Sequence, residues 1–197
     1  MTPLTIGLTG GIAAGKSEAL AALDRLGAET ISADSVVHEL LGSEELRDLL
    51  VDRWGDDVAP DGVVDRTAVG ERVFEKPEEL AWLESQIHPR VGARLDDWRR
   101  SLPDQTAFAV IEVPLLFETG MDKAFDTTIA VISDEEVRRE RAAARGHALV
   151  EERSARQLPQ DEKAARADHV IRNDGTLEEL ERELSELLAK LSSQVEV

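Results

Sequence analysis

The chain has 197 residues, no cysteine, 42% hydrophobic and 32% charged residues, and a formal net charge of −18. That length admits one α/β core with helical insertions but no second full-sized domain. The composition is that of a folded protein, the missing thiols exclude disulfides and thiolate-metal sites, and the acid excess argues against a nucleic-acid partner.

Leu4 to Thr9 is a short apolar run that stops at the pair Gly10-Gly11, and Lys16 to Leu26 carries helical spacing through Leu20, Leu23 and Leu26 before Gly27. No basic leader precedes that first run and no apolar run reaches the length of a membrane span, so a cytoplasmic protein with no membrane partner is expected. Further buried strands are predicted at Glu29 to Ser32, Ala107 to Val113 and Thr127 to Ile132, with a weaker one at His169 to Arg172. From Ser35 to Arg100 only helical segments follow, broken by Asp61-Gly62 and Pro77, which reads as an insertion on the sheet scaffold. Ser133 with Glu136 is a capping-box pattern opening a helix that Gly146 would close, and Thr176 with Glu179 repeats the device for the last helix. In that helix Leu177, Leu180, Leu184, Leu187, Leu188 and Leu191 form one apolar stripe for packing on the sheet. Strands separated by helices imply an α/β fold, a parallel sheet covered by helices in three layers.

Gly10-Gly11-Ile12-Ala13-Ala14-Gly15-Lys16-Ser17 fits G-x-x-x-x-G-K-[ST] and lies between a predicted strand and a predicted helix, the context a P-loop requires. Such a loop turns the N–H groups of Gly11, Ala13, Ala14 and Gly15 toward a phosphate at a helix N-terminus. Lys16 supplies a mobile cation for the β and γ phosphates, and the Ser17 hydroxyl is placed to ligate Mg²⁺. Ala13 occupies a place where glycine would approach phosphate more freely, and Glu18 is given a backbone role only. A P-loop alone leaves GTPases, motor ATPases and small kinases open, but no Asn-Lys-x-Asp segment of the guanine-reading kind occurs.

The remaining segments choose among these. They are GLTGGIAAGKS at 7 to 17, ISADSVVHELL at 31 to 41, VDRTAVGERVF at 64 to 74, IHPRV at 87 to 91, VPLLFETG at 113 to 120, RERAAARG and RSARQ within 139 to 157, and ADHVIRNDG at 167 to 175. In that order they closely resemble the dephospho-CoA kinase family, from the first strand almost to the final helix. The resemblance implies transfer of the γ-phosphoryl group of ATP to the ribose 3′-hydroxyl of dephospho-CoA, with ATP and Mg²⁺ as cofactors. It also implies one P-loop kinase domain over residues 1–197: a core at about 1–34, 105–137 and 167–197, a helical CoA-binding insertion at about 35–104, and an Arg-bearing lid at about 138–166.

By the same resemblance Asp34 matches the catalytic aspartate that orients or deprotonates the 3′-hydroxyl, with helix N-capping as its other reading. Ser32 stands where the family often has a second acid, leaving Asp34 as the sole candidate in that turn. Glu112 ends a strand where a Walker-B-like carboxylate would hold Mg²⁺. Thr9, His88, Leu115, Leu116 and Glu118 fall at acceptor-binding positions, although Leu115 and Leu116 also read as core and His88 as a local hydrogen bonder. Arg141 and Arg145 share one helix face and, with Arg153, match lid arginines that clamp phosphates; a solvated, salt-bridged face is the alternative. Arg138 sits where the family commonly carries glutamine and is not assigned. Asn173 would frame adenine, or simply form the turn Asn173-Asp174-Gly175. A nucleoside or nucleoside-monophosphate kinase, or a nucleotide-dependent switch, remain as other readings.

Overall fold

The computed structural model describes residues 2–144 and 157–195. It divides into two compact units, Met1–Ser32 with Leu102–Val197, and Ala33–Ser101.

The first unit is built on five parallel strands: β1 (Leu4–Gly10), β2 (Glu29–Ser32), β3 (Phe108–Glu112), β4 (Thr127–Ile132) and β5 (His169–Arg172), in the spatial order β2-β3-β1-β4-β5. β1 is central, pairing Leu4 with Phe108 on one side and Ile6 with Thr127 on the other. Every residue of β3 and β4 is buried, as expected where helices cover both faces and a strand reads as a continuous apolar run. On one face Ile6, Leu8, Val110, Ile129 and Val131 meet Ala19, Ala22 and Leu23 of α1 (Lys16–Arg25). The final helix also belongs to that cluster through Leu180, Leu184, Leu188 and Leu191. Alternate residues such as Thr9 point to the opposite face, where a short helix at Gln160–Arg166 packs on β1 and β4.

Two helix signals are corrected here. The last helix, Leu177–Val195, opens with a reciprocal capping box, Thr176 N to Glu179 Oε2 at 2.9 Å and Glu179 N to Thr176 Oγ1 at 3.2 Å. Its stripe, however, excludes Leu177, which is 56% exposed in the first turn, while Leu180, Leu184, Leu187, Leu188 and Leu191 pack on the core. Ser133 does not cap the helix Glu135–Ala144: its side chain is buried, and the first helical carbonyl is that of Asp134, which accepts from Arg138 N at 3.0 Å.

In chain order the helices are α1, α2 (Ala33–Leu41), α3 (Glu44–Trp54), α4 (Arg66–Val73), α5 (Pro77–Ser101), α6 (Glu135–Ala144), α7 (Gln160–Arg166) and α8 (Leu177–Val195). The second unit holds α2 to α5. Leu83, Ile87, Val91 and Leu95 of α5 repeat every four residues and are buried, with Val36, Leu46, Leu50 and Val69 completing the unit's apolar interior. The expected break at Pro77 falls between α4, which ends at Val73, and α5, which Pro77 opens, and α5 then continues through Pro89. Glu79 accepts from Arg53 Nε (3.0 Å), Arg53 Nη2 (2.9 Å) and Trp54 Nε1 (2.8 Å), while Trp82 meets Trp54 edge-on at 5.1 Å. Among the described residues no helix is long and apolar enough to cross a membrane.

Candidate active site

The loop between β1 and α1 is shaped by two left-handed residues, Ala13 (φ 58) and Gly15 (φ 93). A Cβ on Gly15 would stand 2.0 Å from Asn173 Nδ2, so only glycine fits there. Ala13 holds its conformation at a cost of about 1–2 kcal/mol. Gly11 N is anchored to Val131 O at 3.2 Å and Ala14 N to Gly11 O at 3.3 Å. No side chain caps the start of α1, which leaves its first turn of N–H groups, with their partial positive charge, for an anion. Lys16 curls across the loop, its Nζ donating to Gly11 O at 3.1 Å and Gly10 O at 3.5 Å. Ser17 is exposed beside it.

Beneath the loop Asn173, only 3% exposed, donates from Nδ2 to Ala14 O at 3.0 Å. Arg141 of α6 donates from Nη1 to the Asn173 carbonyl at 2.9 Å. The Ser133 hydroxyl lies 3.0 Å from that same carbonyl and 2.8 Å from Asp174 Oδ1. Burial pushes the Asp174 carboxyl up, but donation from Asp134 N and Ser133 Oγ and the Arg172 guanidinium outweigh it and hold the group below the usual aspartate range. Asn173 is therefore a strut between the phosphate loop and the base of α6, and Arg141 is fixed on it. Arg145 and Arg153 lie outside the described residues.

A cleft of about 630 Å³ opens beside the loop, lined by Gly11, Ile12 and Ala13, by Arg138 and Arg139 of α6, and by the segment Gln157 to Gln160. Arg138 Nη1 comes within 3.6 Å of where a Gly11 Cβ would be. Gln160 secures this wall, exchanging hydrogen bonds with Ser133 N (3.1 Å) and Ser133 O (2.8 Å).

On the other face of β1, Thr9 is fully buried and its Oγ1 donates to Pro114 O at 3.3 Å. Pro114 opens the turn in which Leu116 is buried and Leu115 half-buried. Glu118 Oε1 accepts from Leu158 N at 2.8 Å and pairs with Lys163 Nζ at 2.9 Å. The structure thus groups Thr9, the 114–118 turn and Lys163, a residue that the sequence alone leaves among the charges of a polar helix. Glu112 is buried at the end of β3, opposite Leu8. In the helical unit Asp34 is exposed in the first turn of α2, inside the helix rather than at its cap, and His88 is exposed on α5. Among the described residues no group of three or more His, Cys, Asp or Glu side chains could hold a metal.

A parallel sheet whose central strand runs through a glycine-bent, uncapped loop into a helix, with a loop lysine and arginines at the adjoining cleft, defines a P-loop nucleotide-binding protein. Residues 4–179 match the CoaE family, dephospho-CoA kinase. The chain is 38% identical over 193 residues to the dephospho-CoA kinase of Protochlamydia amoebophila, covering 94% of this chain and 95% of that one. The crystal structure of TT1252 from Thermus thermophilus superposes with a TM-score of 0.82 at 34% identity, over 97% of this chain and 99% of the other. Dephospho-CoA kinase from Campylobacter jejuni, 24% identical and matched over 99% and 98% of the two chains, shares the fold with a TM-score of 0.64. The chain belongs to the dephospho-CoA kinase family. Its activity is the ATP-dependent phosphorylation that completes coenzyme A biosynthesis.

Proposed function

We propose that this chain's own residues carry the reaction as follows. The 3′-hydroxyl oxygen of dephospho-CoA bonds to the γ-phosphorus of ATP, the bond from that phosphorus to the β–γ bridging oxygen breaks, and ADP leaves. Asp34 aligns the hydroxyl and takes its proton. Because phosphoryl transfer passes through a loose transition state, alignment contributes more than early deprotonation. Gly11, Ala13, Ala14, Gly15 and the N–H groups of Lys16, Ser17 and Glu18 hold the phosphates, and Lys16 swings from its loop carbonyls onto them. Arg141, with Arg145 and Arg153 of a lid, neutralises charge developing on the transferring group.

The observation that carries this reading is the uncapped α1 start under the strained loop, with Lys16 lying across it. An exposed serine hydroxyl and a buried glutamate are oxygen donors suited to a hard cation that keeps waters and phosphate oxygens in its shell. Ser17 would therefore hold Mg²⁺, with Glu112 reaching it through water, and the ion would neutralise the β and γ phosphates when bound. Thr9, Leu115, Leu116, Glu118 and His88 are assigned to the acceptor, and Asn173 to the adenine side of ATP. The reaction is placed in the cytoplasm, on a small-molecule acceptor, with neither nucleic acid nor membrane as partner.

The test is coupled measurement of ADP release with dephospho-CoA, adenosine and AMP as acceptors. Dephospho-CoA is expected to be preferred by at least about tenfold in kcat/KM, since its pantetheine arm adds contacts the smaller acceptors lack. Preference for AMP overturns the acceptor assignment.

A further inference from the structure

Lys163 is fully buried. Removing an ammonium from water is costly unless every proton finds a partner, and here three oxygens surround it: Thr9 Oγ1 at 3.4 Å, the Pro114 carbonyl, and Glu118 Oε1 at 2.9 Å. Three donors meet three acceptors. The acceptors come from functionally separate pieces of chain. Thr9 is the residue before Gly10, where β1 enters the phosphate loop, while Pro114 and Glu118 bracket the turn after β3. Glu118 Oε1 also receives Leu158 N at 2.8 Å, so the same carboxylate oxygen grips the segment that leads into α7.

Stability alone does not call for this arrangement. An apolar side chain of similar volume, facing an uncharged partner, would fill the space without the desolvation penalty. What the ion pair adds is direction: three chain segments are fixed to one point by hydrogen bonds of defined geometry.

We propose that Lys163 is a positioning residue for phosphoryl transfer, setting the 114–118 turn against the strand that leads into the phosphate loop. The inference rests on the reading of that turn as acceptor-binding. Through it Lys163 fixes where the acceptor stands relative to the phosphate held by the loop. Misplacement by about 1 Å is enough to cost roughly a hundredfold in rate.

The experiment compares wild type, Lys163→Met and the charge-neutral double variant Lys163→Met/Glu118→Gln. Each is assayed with ATP and dephospho-CoA and melted without ligand. The expected result is a kcat per folded molecule lowered at least about tenfold in both variants, with the KM for ATP within about threefold of wild type. If kcat per folded molecule stays at the wild-type level, whatever the melting temperature, Lys163 is a structural cation and the proposal is overturned. Should Lys163→Met not fold, the double variant decides when read against Glu118→Gln alone, which carries any acceptor contact of Glu118 itself: a kcat no lower than that single variant's overturns the proposal, as does failure of both Lys163 variants to fold. A wild-type enzyme that ignores dephospho-CoA in the same assay sinks the acceptor reading instead, which separates the two failures.

Discussion

Asn173 donates its side-chain amide to the carbonyl of Ala14 at 3.0 Å, while its own backbone carbonyl receives Arg141 at 2.9 Å. One buried residue after β5 thus supports the phosphate loop and anchors the helix that carries the neighbouring arginines. Removing the amide in Asn173→Ala leaves the Ala14 carbonyl inside without that donor, at a cost of about 1–3 kcal/mol. Both a lower urea midpoint and a raised KM for ATP are expected, and a variant that loses stability but binds ATP as before would show that the strut is structural only.

Lys16 lies half-buried across the phosphate loop, its Nζ donating to the carbonyls of Gly10 and Gly11. Its replacement by alanine is expected to leave the melting temperature within a few degrees of wild type, since the loop whose carbonyls it meets borders the cleft at the surface, and to reduce turnover at least about a hundredfold, through lost stabilisation of transition-state charge. Steady-state ADP release and a thermal melt on the same preparation check both halves.

Asp34 lies in the first turn of α2 and is exposed. There a carboxylate adds at most about 1 kcal/mol through the helix dipole. Asp34→Asn is expected to lower kcat much more than it changes either KM, and to leave stability nearly unchanged. Unaltered kcat would remove the aspartate from the chemistry.

The helical unit contains an acid-sensitive contact. Hydrogen bonding from Arg53, then from Trp54, holds the Glu79 carboxyl below its ordinary value of 4.5. The folded protein therefore gives up this charge less readily than the unfolded chain does. The stabilisation is fully present above the unfolded-state value and is lost as pH falls through the lower folded-state value. Urea unfolding of wild type and Glu79→Gln is expected to differ at neutral pH and to converge as the pH is taken below 4.5 and through the lower folded-state value. A constant difference across that window would mean that the charge is not what stabilises.

Much of this architecture is written locally. The strands at Glu29–Ser32, Thr127–Ile132 and His169–Arg172 occupy the residues that their apolar runs predict, and the Thr176–Glu179 box forms as its spacing requires. What escapes a local reading is decided by partners far along the chain. Ser133 carries a capping signature, yet Asp174, about forty residues later, takes its hydroxyl. Lys163 in QDEKAAR is indistinguishable from a solvated lysine until Thr9 and Glu118 are brought beside it. Asn173 reads as a turn former because Ala14 and Arg141, its partners, are remote in sequence. The strand, glycine-bent loop and helix at the phosphate loop are legible because their pattern lies within consecutive residues from Leu4 to Arg25.

The pairing of β1 with β3, Leu4 against Phe108, has a consequence for how the chain is made. The two strands are separated by about a hundred residues, and β4 and β5 come later still. During synthesis the strand that becomes the centre of the sheet therefore leaves the ribosome with both edges bare, and waits for the whole helical segment to follow before it gains a neighbour. Such long-range pairing slows folding and leaves intermediates open to association. Truncation after residue 101 should accordingly yield a nascent chain whose first strand is accessible to chaperones and proteases, protected only once Phe108–Glu112 has emerged.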